Sequence, residues 1–233
     1  MKILAIDSSG LVASAAIIEE DTMVAEYTIN HKKTHSQTLL PMIHEIVKMT
    51  DTKLEEIDAI AIAGGPGSFT GLRIGSATAK GLGLALNKPL ISVPTVDGLA
   101  YNLFATDKII CPIMDAKRNQ VYTGIYEFNQ EQFHIIEEQM AVSIDEVISK
   151  LNEIGRTVIF VGDGIPVYAA AIKEKIKVDY SFAPAHLNKQ RAAAVGALAK
   201  QYYLANKMEN ATEHKPDYLR LSQAERERLE REL

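Results

Sequence analysis

The order of predicted secondary structure repeats once along the chain, and this repeat constrains the fold more than any other feature of the sequence. In residues 1–105, three short apolar or alternating runs come before a helical pattern, a buried-strand run and a second helical pattern. Residues 106–220 follow the same order, although their residues are not similar to those of the first half. The sequence therefore predicts a strand-strand-strand-helix-strand-helix unit that occurs twice.

Two copies of this unit form the two lobes of the actin/hexokinase-like (ASKHA) fold, an α/β architecture with a cleft between the lobes. The sequence predicts an N-terminal lobe over residues 1–105, with helices at 36–49 and 68–86, and a C-terminal lobe over residues 106–220. The Ala-rich segment 187–206 predicts a further helix, which can pack back on the first lobe.

Residues 221–233 carry opposite charges four positions apart, such as Arg226 with Glu230. Such pairs stabilise an isolated helix by only about 0.2–0.5 kcal/mol each. We therefore expect a solvated helical tail at this end of the chain.

Composition and charge exclude several classes of protein. Apolar residues make up 47% of the chain and charged residues 24%, which is typical of a globular protein. The longest uncharged stretch, Ala59–Leu72, has 14 residues, whereas a membrane span needs about 20 apolar ones. The net charge is −5, but nucleic-acid binders usually carry a basic excess. We expect that the chain has no membrane segment and that it does not bind RNA by itself.

The cysteine content and the first residues point to a cytoplasmic location. Cys111 is the single cysteine, so the chain cannot form an internal disulfide, as is usual in a reducing compartment. The chain enters a strand pattern directly after Met1, without the features of an export signal.

Two short polar motifs follow predicted strands and are candidates for nucleotide binding. In Asp7-Ser8-Ser9, hydroxyls and backbone N–H groups can hold a phosphate and the carboxylate can hold Mg²⁺ through water; the alternative is a polar hairpin turn. The motif Gly162-Asp163-Gly164 lies where this fold usually meets an adenosine; the alternative is a strand-to-helix turn with an Asp cap.

A glycine-rich segment, Gly64–Gly75, follows a strand and opens the helix 68–86. It is not a P-loop, because no Lys-Ser or Lys-Thr follows its glycines. Small residues recur every four positions along the helix and form one ridge: Gly71, Gly75, Ala79 and Gly83. The ridge predicts close packing of this helix, either within its own lobe or against another chain.

The helix 36–49 has apolar residues on more than one face. Seven of the eleven residues from Leu39 to Met49 are large and apolar, more than one buried stripe requires. The helix is either enclosed by its own lobe or forms a partner interface, and Pro41 predicts a local kink. The residues predicted to form a partner interface on the two helices are Leu39, Leu40, Ile43, Val47, Gly71, Leu72, Gly75 and Ala79.

Neither a catalytic residue nor a metal site is predicted. His31 and His35 are four positions apart, but no acidic third ligand is near them in sequence. Cys111 lies inside an apolar strand pattern, which is typical of a packed side chain rather than a nucleophile.

Four segments resemble the bacterial TsaB (YeaZ) family: ILAIDSS, THSQTLLPMI, AGGPGSFTGLRIG and ATAKGLGLAL. The resemblance covers about residues 1–220. It implies a part in the machinery that installs N6-threonylcarbamoyladenosine in tRNA, beside the transferase TsaD, which is similar in fold, and the ATPase TsaE.

The resemblance also implies which chemistry is missing. Where the TsaD family has a His-x-x-x-His metal motif, this chain has Thr95 and Leu99. Where that family has a Ser-Gly-Gly-His loop, this chain has residues 115–118, Asp-Ala-Lys-Arg. The chain is therefore expected to be a non-catalytic subunit that binds and activates TsaD through its two helices.

The remaining implications concern partners and cofactors. The chain is expected to meet tRNA only through the complex and to bind no cofactor by itself, with ATP or ADP held at the complex interface. Alone, it is expected to self-associate through the same helices. The alternative function is a small-molecule kinase or ATPase of the same fold, motivated by the Asp7 turn and by Gly162–Gly164. A peptidase, suggested only by an older family label, lacks a credible nucleophile.

Overall fold

The computed structural model describes residues 1–31 and 34–220, and the first of its two sheets lies in the N-terminal half. Its strands are β1 (Lys2–Asp7), β2 (Ala13–Glu19), β3 (Thr22–Ile29), β4 (Ala59–Gly65) and β5 (Leu90–Pro94). They lie in the order β3-β2-β1-β4-β5. The helices of this half are α1 (His35–Met49), α2 (Phe69–Leu86) and α3 (Thr95–Tyr101), with a short 3₁₀ turn at Leu54–Glu56.

The second sheet lies in the C-terminal half. Its strands are β6 (Ile109–Pro112), β7 (Met114–Asp115), β8 (Gln120–Asn129), β9 (Gln132–Ser143), β10 (Val158–Val161) and β11 (Tyr180–Phe182). They lie in the order β11-β10-β6-β8-β7, and β9 pairs with β8. The helices are α4 (Ile144–Ile154), α5 (Ile165–Lys175) and α6 (Ala192–Leu204).

The two sheets have the same topology. In the first, β1 pairs antiparallel with β2 and parallel with β4. In the second, β6 pairs antiparallel with β8 and parallel with β10. The path β9-β8-β6-β10-β11 therefore matches β3-β2-β1-β4-β5, and the helices α4 and α5 occupy the places of α1 and α2. The predicted duplicated unit and the ASKHA fold are confirmed.

Helices cover both faces of the first sheet because alternate strand residues point to opposite sides. Leu4 and Ile6 of β1 pack with the buried face of α1, whereas Ile3 and Ala5 pack with α6. The first sheet is thus the centre of a three-layer lobe. The helix α6 covers the face of the first sheet opposite to α1 and α2, although α6 follows the strands of the second lobe in sequence.

The predicted helices differ slightly from the observed ones. The helix α1 begins at His35, one residue before the predicted start, with Thr34 at its N-cap, and it continues through Pro41 to Met49. The helix α2 is capped by Ser68, whose hydroxyl accepts from the N–H of Gly71 at 3.3 Å.

The helix α6 is shorter than the predicted segment 187–206, since it spans Ala192–Leu204. The carbonyls of Leu187 and Lys189 are instead bound by the amide of Asn102. The tail predicted at 221–233 lies outside the described residues. Among the residues that the structure does describe, no helix has the length and apolar character to cross a membrane.

Candidate functional site

A cleft of about 750 Å³ separates the two lobes. Its first-lobe wall is the turn after β1, with Ser9, together with the start of α2, with Phe69. Its second-lobe wall includes Asp115 and Asp163, which follow β6 and β10. The corresponding strand ends of the two pseudo-symmetric sheets therefore face each other across the cleft.

Asp7 is buried at the end of β1, two residues before the cleft-lining Ser9, with only 2% of its surface exposed. Its Oδ1 accepts hydrogen bonds from the N–H of Ser9 at 2.9 Å and from the Ser9 hydroxyl at 2.6 Å. Burial raises the pKa of Asp7 to about 6, which these hydrogen bonds oppose and the nearby Asp163 carboxylate reinforces. The Ser8 hydroxyl donates to the carbonyl of Gly71 at 2.9 Å. Both serine hydroxyls predicted to hold phosphate thus donate to groups of their own lobe.

The second predicted nucleotide motif is a tight turn packed on β6 and β7. Gly162 has a φ of +126°, and a Cβ there would lie 2.3 Å from the carbonyl oxygen of Ile113. The N–H of Gly164 donates to that same oxygen at 2.8 Å. The two glycines are therefore needed for the close approach, and Asp163 is the residue of this turn that lines the cleft.

Asp163 is partly buried, and its buried Oδ1 has no hydrogen-bond partner among the described residues. Burial raises the pKa of Asp163, while Lys189 lowers it. The charge of Asp163, in the second lobe, contributes to the raised pKa of Asp7, in the first. Within the described part of the chain, no group of three or more His, Cys, Asp or Glu side chains could hold a metal ion.

The loop after β7 has an unusual backbone. Lys117, Arg118 and Asn119 have φ values of 62°, 56° and 59°, in the left-handed region. That region costs about 1–2 kcal/mol per residue with a side chain. The N–H and Nζ of Lys117 donate to Asp115 at 2.8 and 2.6 Å. Burial alone would raise the pKa of Asp115, but these bonds outweigh it and lower the pKa. The sequence contained no signal for this loop beyond Asn119, since Asn tolerates left-handed backbone.

Two histidines considered as metal ligands line the cleft, whereas the cysteine considered as a nucleophile is buried. His31 and His35 both line the cleft, and Nε2 of His35 lies 2.8 Å from the carbonyl oxygen of Gly10. Cys111 is fully buried, and burial raises the pKa of its thiol to about 12. A thiol with that pKa is protonated at neutral pH and is not activated as a nucleophile.

The glycine ridge of α2 faces the protein's own first lobe. A Cβ on Gly71 would lie 2.1 Å from the carbonyl oxygen of Ser8, and one on Gly75 would lie 2.4 Å from the Ser8 hydroxyl. A Cβ on Gly83 would lie 2.9 Å from Cβ of Ala211. The alternative that this ridge crosses a helix of another chain is therefore wrong, because the turn after β1 and the C-terminal segment already occupy that space.

Most of the predicted interface residues are covered in the same way. The side chains or backbones buried within the chain are those of Leu39, Ile43, Gly71, Leu72, Gly75 and Ala79. Leu39, Gly71, Leu72, Gly75 and Ala79 cannot form an exposed contact surface, which corrects their assignment, whereas Ile43, although buried, lines the groove described next. Leu40 is 55% exposed, and Val47 is partly exposed.

An apolar groove lies beside these two residues, between α1 and α2. It has a volume of about 550 Å³. Its lining residues are Leu40, Pro41, Ile43, His44, Val47, Leu54 and Leu82. Sequence reasoning did not single out His44, Leu54 or Leu82. Leu82 could have been found, because it lies next to the ridge position Gly83 on a different face of α2.

Comparison with known proteins assigns the family. A family model described as "TsaD: tRNA N6-adenosine threonylcarbamoyltransferase" matches residues 22–228. The tRNA threonylcarbamoyladenosine biosynthesis protein TsaB of Bacillus subtilis is 34% identical, over 99% of each chain. The chain belongs to the TsaB family. The same-named TsaB protein of Haemophilus influenzae is 29% identical, over 94% of each chain.

A solved structure has the same fold as this TsaB family member. It is a Pseudomonas aeruginosa protein described as having similarity to peptidase YEAZ, with a TM-score of 0.81 and 25% sequence identity. The match covers 94% of this chain and 99% of that one. The predicted family resemblance is confirmed, and the family's name places the chain in tRNA threonylcarbamoyladenosine biosynthesis.

Proposed function

We propose that this chain is a non-catalytic subunit that binds a TsaD-like transferase through α1 and α2 and activates it. The apolar groove between the helices is the observation that carries the proposal. Leu40 stands exposed at the groove, and the apolar side chains of Met49 and Leu84 are also exposed on these two helices. Exposed apolar patches of this kind mark protein–protein contacts.

The residues that replace the metal-binding histidines of the TsaD family support a non-catalytic role for this chain. Thr95 and Leu99 are both buried, and neither offers an imidazole nitrogen. The Cys111 thiol is inaccessible and protonated at neutral pH. Activation then acts by shifting the partner toward its competent arrangement, a change of population rather than an added catalytic group.

The same proposal includes the other members of the complex. A TsaE-like ATPase joins the pair, and ATP or ADP is held at the interface of the complex rather than by this chain alone. The net charge of −5 disfavours direct binding of the tRNA phosphates by this chain, so tRNA meets it only through the complex. In the absence of the transferase, a second copy of this chain covers the same groove.

The experiment replaces one exposed leucine on each of two surfaces. Leu40→Glu places a charge at the groove, and Leu204→Glu is the matched control, since Leu204 is 73% exposed at the end of α6. Binding of each variant to the TsaD-like transferase of the same cell is measured by calorimetry. We expect Leu40→Glu to weaken binding at least tenfold, about 1.4 kcal/mol, and the control to change it by less than twofold. Equal affinity of both variants would contradict docking at the groove.

A small-molecule kinase or ATPase is the second candidate function. It is favoured by Asp163, which lines the second-lobe wall of the cleft, and by Asp7, which is buried two residues before Ser9 on the first-lobe wall. ATP hydrolysis by the isolated chain, abolished by Asp7→Asn, would support this candidate over the accessory role. Full transferase activation by a chain that hydrolyses no ATP alone would count against it.

A further inference from the structure

The C-terminal segment runs along α2 toward the cleft. Glu209 exchanges two backbone hydrogen bonds with Leu90, at 2.9 and 3.0 Å. The Nζ of Lys80, on α2, donates to the carbonyls of Thr212 at 3.1 Å and His214 at 3.0 Å. This part of the chain is therefore fixed to the flank of α2 on the first lobe.

The segment then contacts the loop that opens α2. The N–H of Asp217 donates to the carbonyl of Gly64 at 2.7 Å. A Cβ on Gly65 would lie 2.1 Å from the carbonyl oxygen of Asp217, so glycine is required for this approach. The ring of Tyr218 packs on Phe69 at 4.8 Å, and its hydroxyl accepts from Nε of Arg73 at 3.3 Å.

The same few residues also reach the second lobe. The Oδ2 of Asp217 accepts from Nε2 of Gln139, on β9, at 2.6 Å. The Nη1 of Arg220 donates to the carbonyl of Ala116 at 2.5 Å and contacts that of Lys117 at 3.4 Å. We call residues 217–220 the clasp, because they join the two lobes at the cleft.

The clasp ends on the strained loop. The three left-handed residues that begin at Lys117 follow directly after the carbonyl that Arg220 binds. Left-handed backbone at residues with side chains persists only where surrounding contacts impose it. The Arg220 guanidinium is one of the contacts that can hold the loop in this strained backbone.

We propose that the clasp is a switch that links the outer face of α2 to the opening of the cleft. Arg73, Ala77 and Gly81 are exposed and lie four residues apart, so they form one stripe along α2. A partner that lies along this stripe meets Arg73, the residue that binds Tyr218. Docking therefore alters the clasp, and Arg220 transmits the change to the loop at 115–119. This linkage rests on the proposed docking at α1 and α2.

The first measurement uses the isolated full chain and depends on no partner. Hydrogen–deuterium exchange is compared for wild type, Arg220→Ala, Tyr218→Ala and the control Arg156→Ala, whose exposed guanidinium pairs with Glu127. We expect both clasp variants to raise exchange at amides 116–120 at least tenfold, with β10 unchanged. The control should alter these amides by less than twofold. Exchange at 116–120 within twofold of wild type in both clasp variants would overturn the switch.

The second measurement adds the TsaD-like transferase. In wild type, docking should change exchange at 116–120, and in Arg220→Ala this change should disappear while the dissociation constant stays within twofold. Failure of wild type to bind contradicts the proposed function and the linkage together. Binding without any change at 116–120 contradicts the linkage alone.

Discussion

The hydroxyl of Tyr126 donates a 2.7 Å hydrogen bond to Oδ1 of Asp97, so a strand of the second lobe is bound to the helix that connects the lobes. The hydroxyl of Tyr202, on α6, donates to the other carboxylate oxygen at 3.3 Å. Burial raises the pKa of Asp97 to about 6 and raises the pKa of both tyrosines. Three elements from both lobes therefore share one buried carboxylate.

Replacing Tyr126 by Phe should destabilise this junction. The ring is retained, but Oδ1 of Asp97 loses its donor and stays buried. A hydrogen bond to a charged group contributes about 1.5–3 kcal/mol, so we expect a loss of that size in urea unfolding at pH 7.5. Tyr180→Phe is the control, because its ring packs on Phe160 and Phe182 in the same lobe. A Tyr126→Phe variant no less stable than the control would show that the bond contributes nothing.

The stability of the protein should depend on pH through Asp7. Its pKa of about 6 in the folded state exceeds the ordinary value of 3.8, so the native state holds more protons between these values. Protonation of Asp7 therefore stabilises the folded state at low pH, and this stabilisation is lost as the pH rises through about 6. Asp7→Asn keeps an oxygen acceptor for Ser9 and removes the buried charge. We expect the variant to match wild type at pH 4 and to exceed it at pH 7.5 by roughly 2–3 kcal/mol.

The matched control for that prediction is Asp107→Asn, at an exposed position of the turn before β6. Its difference from wild type should stay nearly constant from pH 4 to 7.5. A pH profile of Asp7→Asn that runs parallel to that of wild type would show that Asp7 titrates normally.

Two glycines of α2 should respond in opposite directions to the same change. Gly81→Ala introduces a methyl group with nothing within 4 Å, so it should stabilise the helix by about 1 kcal/mol. Gly71→Ala has the same helical benefit, but its Cβ meets the backbone of Ser8 and should cost about 1–3 kcal/mol overall. Thermal unfolding of dilute protein measures both. Equal melting temperatures would mean that Gly71 does not touch the turn after β1.

Much of the fold could be predicted from sequence because each lobe repeats the same alternation of strands and helices. The position of Asp163 after its strand also placed it at the cleft, and the position of Asp7 placed it just before the cleft-lining turn of the first lobe. The residues of the partner interface were harder to predict from sequence. Every-fourth spacing shows that Gly71 and Gly75 share a face of α2, but spacing carries no information about what that face meets.

From sequence alone, the chain's family, its duplicated unit and the absence of histidine at positions 95 and 99 were determined, since local pattern and residue identity suffice for these. Only the tertiary structure decided which side of α2 is covered and that Arg220 reaches the carbonyl of Ala116 in the other lobe. The reason is distance along the chain. Contacts between residues about a hundred positions apart depend on how the lobes pack, and no short segment of sequence contains that information.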